Sequence, residues 1–591
     1  MNVIGSTPDA HARAPRGTPV FVCWGAIALL AGLVYANALH NPFVFDDHRM
    51  IVENTSIHSL TNLRSVLLHE MTRPVVNLSY AVDYAIWGDG PFGFHLTNVL
   101  LHVANVMLLF LVAWHLAADR EKRGTAPFLG SQPFVVALTA SALLAVHPMM
   151  TQATGYISGR PEVLCGTLFL FAFLFARRWM LGDGTRWWLA AAGLWVIALA
   201  TKEVAVMFPF VLLCYDRFVL APNGTAARND RQRLLKLHLP LIALTVAAAT
   251  LRLSILTLVE HPNETVVHWQ YALVELDVIR RYLVLILLPS GQTIFHVISP
   301  IRSAFEPRAV IAIATLAAML VLAWRLRRTD GLFALGIFWF VLLLIPSSVL
   351  VVLDRGEPMA EHRVYIGAMG LFLTTGAVAG WLKAFMSTAG SRGRILVPLT
   401  GIVLLVSFGG RTLLRNAVWS SPVGLWVEAA NSAPDHWVPR LLLGEALQEA
   451  GRRDEAVEQY RTAIALRPRE QFAYSKLGTC LVELGRLQEA ADTFNRLQGL
   501  DPQSTVAPTG LGTIAMLQGD PRRAHDYFRT ALERDRSNVP ARQLLASLVE
   551  SEDPGEALRL CEEVRQIAPE ALGNDDCIRR NRVRAGGAPR E

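Results

Sequence analysis

Two adjacent carboxylates, Asp46 and Asp47, follow the first long apolar run of the chain and are the residues best suited to acid–base chemistry. A carboxylate at the mouth of a helix bundle can take a proton from a hydroxyl group as a general base. Adjacent acids at a membrane edge are also common as helix caps or solvated charges. Because neighbouring side chains project in different directions, we expect one carboxylate to face a substrate and the other to hold local structure or a cation.

A polar stripe follows in the second apolar run, where His95, Asn98, His102 and Asn105 are spaced i, i+3, i+7 and i+10. This spacing puts all four side chains on one face of a helix. Such a face is expected to point into the bundle and not toward lipid. Hydrogen bonds between helices would explain the deeper Asn105 as well as ligand contact would. His95 and Asn98, nearer the outer surface, are the better candidates for function.

Further charged residues fall in loops on the side of the chain where we expect Asp46 to lie. Lys202 and Glu203 join two apolar runs with almost no loop, which leaves both charges near bilayer depth. Arg73 precedes an amphipathic stretch and is an outer cation that could meet a phosphate. Solvated loop charge is the simpler interpretation for each residue alone, but together they favour an anionic lipid headgroup. The other candidates of this kind are Arg160, Glu162, Glu361, Arg363 and Tyr365.

The elements that would position these side chains are membrane helices. The chain has 591 residues, of which 52% are hydrophobic and 18% charged, and its mean hydropathy is +0.34. This balance excludes a single ordinary soluble domain. The net charge of +6 at pH 7 comes from clusters between apolar runs, which excludes a nucleic-acid stripe and indicates membrane orientation. The fold class predicted is all-α, a polytopic helix bundle followed by a helical repeat array.

About eleven spans are predicted from the apolar runs. They lie at roughly 21–39, 95–118, 132–148, 161–177, 187–201, 203–219, 238–258, 308–324, 331–353, 364–384 and 395–410. The segment 270–289 is apolar but carries four charges, and we interpret it as interfacial or re-entrant. No small-residue cleavage site follows the first run, so it is expected to remain as an anchor.

The positive-inside rule orients this bundle. Arg13 and Arg16 precede the first run, which predicts a cytoplasmic N-terminus and places Asp46 and Asp47 outside the cytoplasm. The Arg- and Lys-rich loops then all come out cytoplasmic: 120–123, 177–178, 228–236, 325–328 and 383–394. An odd number of spans puts the repeat array on the same side as Asp46. The predicted location is a bacterial inner membrane with the array in the periplasm, or an endoplasmic reticulum membrane in a eukaryote.

A period of 34 residues is visible after Pro434. The glycines, small residues and aromatic residues that repeat at this step are Gly444, Gly478 and Gly512, then Ala456, Ala490 and Ala524, then Tyr460, Phe494 and Phe528. This is the tetratricopeptide (TPR) period: small residues let two antiparallel helices approach, and the aromatic ring fills the gap between neighbours. A fourth, irregular unit over about 539–569 is expected to act as a cap.

The domains predicted are a cytoplasmic tail over 1–20, a membrane domain over 21–410, a linker over 411–434, a TPR domain over 435–570 and a disordered tail over 571–591. Six cysteines show no CxxC and no ligand-like spacing with histidine. They therefore indicate neither a zinc site nor a disulfide framework.

Seven motifs follow one another along nearly the whole chain: 43–47 (FVFDD), 73–74 (RP), 91–102 (PFGFHLTNVLLH), 147–148 (HP), 158–160 (SGR), 201–203 (TKE) and 361–365 (EHRVY). In this order they resemble a known family, the transmembrane and TPR repeat-containing O-mannosyltransferases, which have a GT-C fold and are related to the protein O-mannosyltransferases. The TPR array strengthens the resemblance.

The resemblance implies inverting transfer of a sugar, mannose in the characterised relatives, from a polyprenyl-phosphate donor to Ser or Thr hydroxyls of a protein acceptor. It implies that Asp46 and Asp47 form the catalytic signature. The donor phosphate and sugar would be held by Arg73, His95, Asn98, His102, Arg160, Glu162, Lys202, Glu203, Glu361, Arg363 and Tyr365. No metal ligand is assigned and no cofactor is certain, although a divalent cation stays possible. This chain departs from its relatives in having His362 between Glu361 and Arg363, and only about four TPRs.

The partners expected are membrane lipid, the polyprenyl-phosphate sugar and an acceptor protein in the TPR groove, with no nucleic acid. Two other classes of function stay open. A transporter of lipid-linked sugar would also need a polar cavity, but would be expected to show internal duplication of the membrane half, which the sequence does not. A membrane-anchored TPR scaffold for protein assembly would need neither an acidic pair nor a polar stripe.

Overall fold

The structure, a computed structural model, describes residues 18–122, 132–220, 233–255, 269–352, 358–388, 391–568, 571 and 573–586. Over these residues the chain is helical and contains no strand, which confirms the predicted all-α class. It divides into two compact units, Met1–Gly424 and Leu425–Glu591. Arg13, Arg16 and parts of the basic loops near 123, 228–232 and 389–390 lie outside the described residues.

The N-terminal unit is a bundle of long apolar helices with short helices at its loops. Its helices before the middle of the unit are α1 Thr18–Tyr35, α2 Leu63–His69, α3 Pro74–Trp87, α4 Pro91–Lys122, α5 Pro133–Val146, α6 Thr151–Thr154, α7 Arg160–Met180, α8 Thr185–Leu199 and α9 Phe208–Tyr215. Those that follow are α10 Leu239–Ile255, α11 Trp269–Leu287, α12 Pro307–Leu326, α13 Gly331–Val352, α14 Tyr365–Thr388 and α15 Ser391–Val418. The main apolar core lies among α4, α5, α7, α13 and α14.

Eight helices among the described residues are long and apolar enough to cross a membrane, or nine if the bent pair α5 and α6 is one span. The chain is thus a multi-pass membrane protein, but the predicted count of about eleven is not confirmed. The predicted span 187–201 is α8, whose 15 residues extend only about 22 Å against a hydrocarbon core of about 30 Å. The next, 203–219, is divided into a 3₁₀ turn at Glu203–Met207, the short α9 and a π turn at Asp216–Leu220.

The predicted spans 187–201 and 203–219 are consecutive. A count of membrane spans that omits both therefore leaves every later loop on its predicted side. The segment 270–289, interpreted above as interfacial or re-entrant, forms α11 and packs against α12 and α13. Its Asp277 is buried and pairs with Arg280 at 2.7 Å and Arg281 at 3.0 Å.

Two residues of the predicted cytoplasmic loops are buried in ion pairs. The Arg177 guanidinium contacts Asp119 at 2.5 Å, and Arg120 contacts Asp330 at 3.0 Å. These pairs join α4 to α7 and to the start of α13. Because breaking a buried pair leaves an uncompensated charge, they fix the helix ends relative to one another.

The C-terminal unit is an array of antiparallel helix pairs. Its helices are α16 Pro422–Ser432, α17 Trp437–Glu449, α18 Arg453–Leu466, α19 Gln471–Glu483, α20 Leu487–Leu500, α21 Val506–Leu517, α22 Pro521–Arg534, α23 Val539–Val549, α24 Pro554–Ile567 and α25 Asn574–Arg584. A Cβ atom on Gly478 would lie 2.6 Å from the Phe494 ring, and the same holds for Gly444 against Tyr460. The 34-residue pattern of glycine and aromatic residues therefore reflects close packing within each pair.

The predicted linker 411–434 is helical, since α15 continues to Val418 and α16 follows. Two other expectations for the C-terminal part are wrong. The predicted disordered tail contains α25, which packs on α24. Cys561 and Cys577 form a disulfide that joins these two helices, although the sequence spacing did not indicate one. Sequence spacing could not indicate this pair, because the two cysteines come within bonding distance only where α24 and α25 lie side by side.

Candidate active site

The loop after α1 presents Asp46 through a strained backbone. Phe45 has φ of +51°, and it is the one non-glycine residue with positive φ in the part of the chain that the structure describes. Such a conformation costs free energy and persists only where the surroundings impose it. Here the Asp46 backbone N–H donates a hydrogen bond to the Tyr156 hydroxyl at 3.0 Å, and the Tyr156 ring packs on Trp419. The result is an Asp46 side chain directed into a cavity.

Asp47 points the other way and is completely buried. Its carboxylate accepts hydrogen bonds from the Ser158 backbone N–H at 2.9 Å, the Ser158 hydroxyl at 2.6 Å and the Val44 N–H at 3.1 Å. Burial nevertheless raises the pKa of Asp47 to about 7, although these hydrogen bonds act to lower it. The side chain holds the loop after α1 against the segment that precedes α7.

The cavity beside Asp46 has a volume of about 290 Å³. It gathers residues from seven separate parts of the membrane unit: Phe45, Asp46, Arg73, Gln152, Tyr156, Lys202, Glu203, Ile294, Ser347, His362 and Arg363. Burial raises the pKa of Asp46, while the Tyr156 hydrogen bond and the charges of Arg49 and Arg73 lower it. A carboxylate of raised pKa next to a polar cavity suits a general base.

Three of the predicted cations line this cavity. Arg73 lies 3.5 Å from Glu203, and both side chains are about one-third exposed. Lys202 is buried and paired with the buried Glu162 behind the cavity wall. Arg363 is the third. Of the thirteen predicted site residues, the structure therefore brings together Asp46, Arg73, Lys202, Glu203 and Arg363, with Glu162 directly behind Lys202.

The polar stripe of α4 does not line the cavity. His95 Nε2 lies 3.1 Å from the Asn41 carbonyl oxygen, and the Asn98 amide donates to the Tyr156 carbonyl at 3.0 Å. His102 Nδ1 lies 2.8 Å from the Tyr365 hydroxyl. These side chains are buried and connect α4 to its neighbours, as the packing interpretation required. Asn98 affects the site indirectly because it holds the backbone of Tyr156.

Arg160 is fully buried and also lies away from the cavity lining. Its guanidinium contacts the Asp83 carboxylate at 2.7 Å and donates to the Phe94 carbonyl at 2.8 Å. It also bonds the Asn98 side-chain oxygen and lies over the Tyr80 ring at 4.9 Å. With its donors directed to these partners, Arg160 ties α3, α4 and α7 together, and the expectation that it binds donor phosphate does not fit this placement.

Glu361 and Tyr365 are likewise outside the lining. Glu361 is buried and accepts hydrogen bonds from the loop between α11 and α12, and Tyr365 bonds His102 and Asn105. The sequence interpretation missed Gln152, Tyr156 and His362 as lining residues. His362 lies inside the motif 361–365, so the sequence did offer a signal for it. The His147-Pro148 pair indicates a break in a helix at bilayer depth, but it does not indicate which of the residues after the break line a cavity. No sequence signal pointed to Gln152 or Tyr156.

Among the described residues, no group of three or more His, Cys, Asp or Glu side chains is arranged to hold a metal ion.

Comparisons with known proteins find the following similarities. A family model described as tetratricopeptide repeat matches residues 441–505. The protein O-mannosyl-transferase Tmtc1 of Drosophila melanogaster is 26% identical over 545 residues, covering 74% of this chain and 61% of that protein. The human protein O-mannosyl-transferase TMTC1 is 25% identical, covering 77% of this chain and 56% of its own length. Among solved structures, a TPR protein of Thermus thermophilus is 18% identical, with a TM-score of 0.26, and covers 32% of this chain and 97% of its own.

The fold and the site define a multi-pass membrane protein that has a polar cavity in its membrane unit and a TPR array as its second unit. The resemblance to the TPR-containing protein O-mannosyl-transferases is confirmed, since the similarity extends over about three-quarters of the chain. The chain spans about 60% of the length of these relatives.

Proposed function

We propose that the chain transfers a sugar, mannose by analogy with the relatives, from a polyprenyl-phosphate donor to a Ser or Thr hydroxyl of a protein on the non-cytoplasmic side. The observation that carries the proposal is the cavity in which Asp46 lies with Arg73, Lys202 and Arg363. Cations suited to a phosphate and a carboxylate suited to a hydroxyl proton are both required by this reaction. A GT-C type of membrane domain is part of the proposal.

In the proposed reaction the acceptor oxygen attacks the anomeric carbon as the bond from that carbon to the phosphate oxygen breaks. The hydroxyl proton passes to Asp46, and the electron pair of the broken bond stays on the lipid phosphate. Arg73, Lys202 and Arg363 stabilise the negative charge that develops there. Attack from the side opposite the phosphate inverts the anomeric configuration. Asp47 takes no part in the chemistry because its carboxylate is buried against Ser158 and Val44.

The TPR array is proposed to recruit the acceptor protein. Its first helices contact one another from repeat to repeat, so they form the inner face of the array. Exposed apolar side chains on these first helices include Phe472, Val506 and Leu517. The Glu445 carboxylate there is paired with Lys476 at 2.6 Å. An apolar surface with this internal charge pairing favours an extended segment of low charge over a strongly charged peptide.

The test uses the full chain in lipid nanodiscs with polyprenyl-phosphate mannose carrying a radiolabel. We expect label to appear on Ser/Thr-containing peptides, with β-elimination releasing it, and slow hydrolysis of the donor without a peptide. A second experiment reconstitutes the full chain in lipid vesicles and measures whether the labelled lipid moves between the two leaflets. Movement of labelled lipid between leaflets without any transfer would refute the proposal in favour of a transporter, and neither transfer nor donor binding would favour the scaffold.

A further inference from the structure

Glu361 is a buried carboxylate with an unusual set of partners. It accepts a hydrogen bond from the Thr293 backbone N–H at 2.9 Å, from Gln292 Nε2 at 2.8 Å and from His296 Nε2 at 3.0 Å. All three donors belong to the loop 288–306 between α11 and α12. A buried carboxylate is stable only when such donors or charges compensate it. Glu361 is therefore the anchor of this loop within the membrane unit.

The same loop lines the cavity. Ile294 lies directly after the anchored Thr293 and forms part of the lining. Glu361, in turn, begins the short 3₁₀ helix Glu361–Val364, whose next two residues, His362 and Arg363, also line the cavity. One carboxylate thus connects two of the segments that line the cavity.

A third segment joins this arrangement at the break between α5 and α6. Residues 147–150 are not α-helical, and the helices on either side are bent by 60°. Gln292 Nε2 also donates to the Pro148 carbonyl at 3.1 Å, and the His362 backbone N–H donates to Gln152 Oε1 at 2.9 Å. These bonds tie the segment at the helix break to the 288–306 loop and to the short helix that begins at Glu361.

We propose that Glu361 is a positioning residue, which ties the 288–306 loop to the short helix of His362 and Arg363 and so fixes the cavity wall that receives the donor phosphate. Glu361 does not contact the donor itself, because its oxygen atoms are directed to the loop. The kinetic part of this inference rests on the proposed function. The structural part, anchoring of the loop, is independent of it.

The central variant is Glu361→Gln, which keeps the size of the side chain but turns one acceptor into a donor opposite Gln292. We expect amide hydrogen exchange over 291–297 to become about 5-fold faster or more, the scale of one lost buried hydrogen bond. We also expect the KM for polyprenyl-phosphate mannose to rise about 10-fold, with kcat changed by less than about 3-fold, because phosphate binding and not proton transfer is disturbed. His296→Ala, made from the loop side, should change both quantities in the same direction.

The matched control is Glu306→Gln in the same loop, where the carboxylate accepts from the Arg302 N–H at 2.8 Å and has no contact with Glu361 among those the structure shows. It should leave the donor KM unchanged. The double variant of Glu361 and His296 should be no worse than Glu361→Gln alone, since both remove one connection.

Additive effects on KM, or a raised KM with unchanged exchange over 291–297, would overturn the inference and make Glu361 a direct donor contact. Unchanged exchange and unchanged KM in both single variants would also overturn it. If the wild-type chain shows no transfer, the proposed function fails, and the exchange measurement still decides whether Glu361 anchors the loop.

Discussion

Replacing Asp46 by Asn tests the division of roles between the two adjacent carboxylates. The change is nearly isosteric, and the Asp46 backbone keeps its hydrogen bond to Tyr156, so the fold should persist. Loss of a general base lowers the rate by roughly 10² to 10⁴-fold, which is about 3 to 5.5 kcal/mol in the activation free energy. Donor affinity should stay the same or increase, because a negative charge near Arg73 is removed.

The assay is single-turnover transfer of labelled mannose from polyprenyl-phosphate mannose to a Ser/Thr peptide, with donor binding measured separately. Asp47→Asn is the matched control. Its side-chain oxygen can still accept from Ser158, but its NH₂ group would face the Val44 N–H. The lost hydrogen bond should lower the free energy of unfolding by roughly 1 to 3 kcal/mol, while activity per folded molecule stays within about 10-fold. An active Asp46→Asn, or a folded but inactive Asp47→Asn, would refute this division of roles.

The pH dependence of stability provides an independent check on Asp47. Its folded-state pKa of about 7 lies above the unfolded value of about 3.9, so the folded state binds the proton more tightly. The stabilisation is complete below about pH 4 and is lost as pH rises through about 7. Thermal unfolding in detergent should show that this contribution to stability declines over that interval in the wild type and is absent in Asp47→Asn. The same slope in both proteins would mean that Asp47 is not the group responsible.

Further changes test other parts of the structure. Arg73→Gln should move the acidic limb of the kcat/KM profile to higher pH, because the cation that lowers the Asp46 pKa is removed; an unmoved limb would exclude Asp46 as the titrating base. Arg160→Met should lower the midpoint of thermal unfolding by leaving a buried carboxylate unpaired, a cost of roughly 3 to 5 kcal/mol, whereas a stable but inactive variant would return Arg160 to the donor site. A chain ending at Gly424 should retain donor binding and lose roughly 10²-fold in transfer to its native protein acceptor, and full activity would count against acceptor recruitment by the TPRs. Without reductant, Cys561 should resist thiol labelling in the native protein, and rapid labelling would show that the disulfide is not formed.

Two arginines, Arg73 and Arg160, show how far the sequence could predict the site. Arg73 and Arg160 were both expected at a phosphate, yet only Arg73 lines the cavity, while Arg160 is occupied by Asp83. The sequence offered no means to separate them, because the partner of Arg160 lies 77 residues away along the chain. Glu361 was expected to bind the donor, but it accepts hydrogen bonds from Gln292, Thr293 and His296. These partners are also distant along the chain, so the sequence did not reveal them.

The sequence by itself determined the apolar runs, the 34-residue repeat and the acidic pair, because hydrophobic periodicity and spacing are local properties of the chain. It also determined that Asp46 and Asp47 cannot be equivalent. Only the tertiary structure decided which of them faces the cavity, since that depends on Tyr156 and Ser158, more than 100 positions away. It likewise decided that the polar stripe of α4 serves packing, because hydrogen-bond partners in a helix bundle are set by which helices lie side by side.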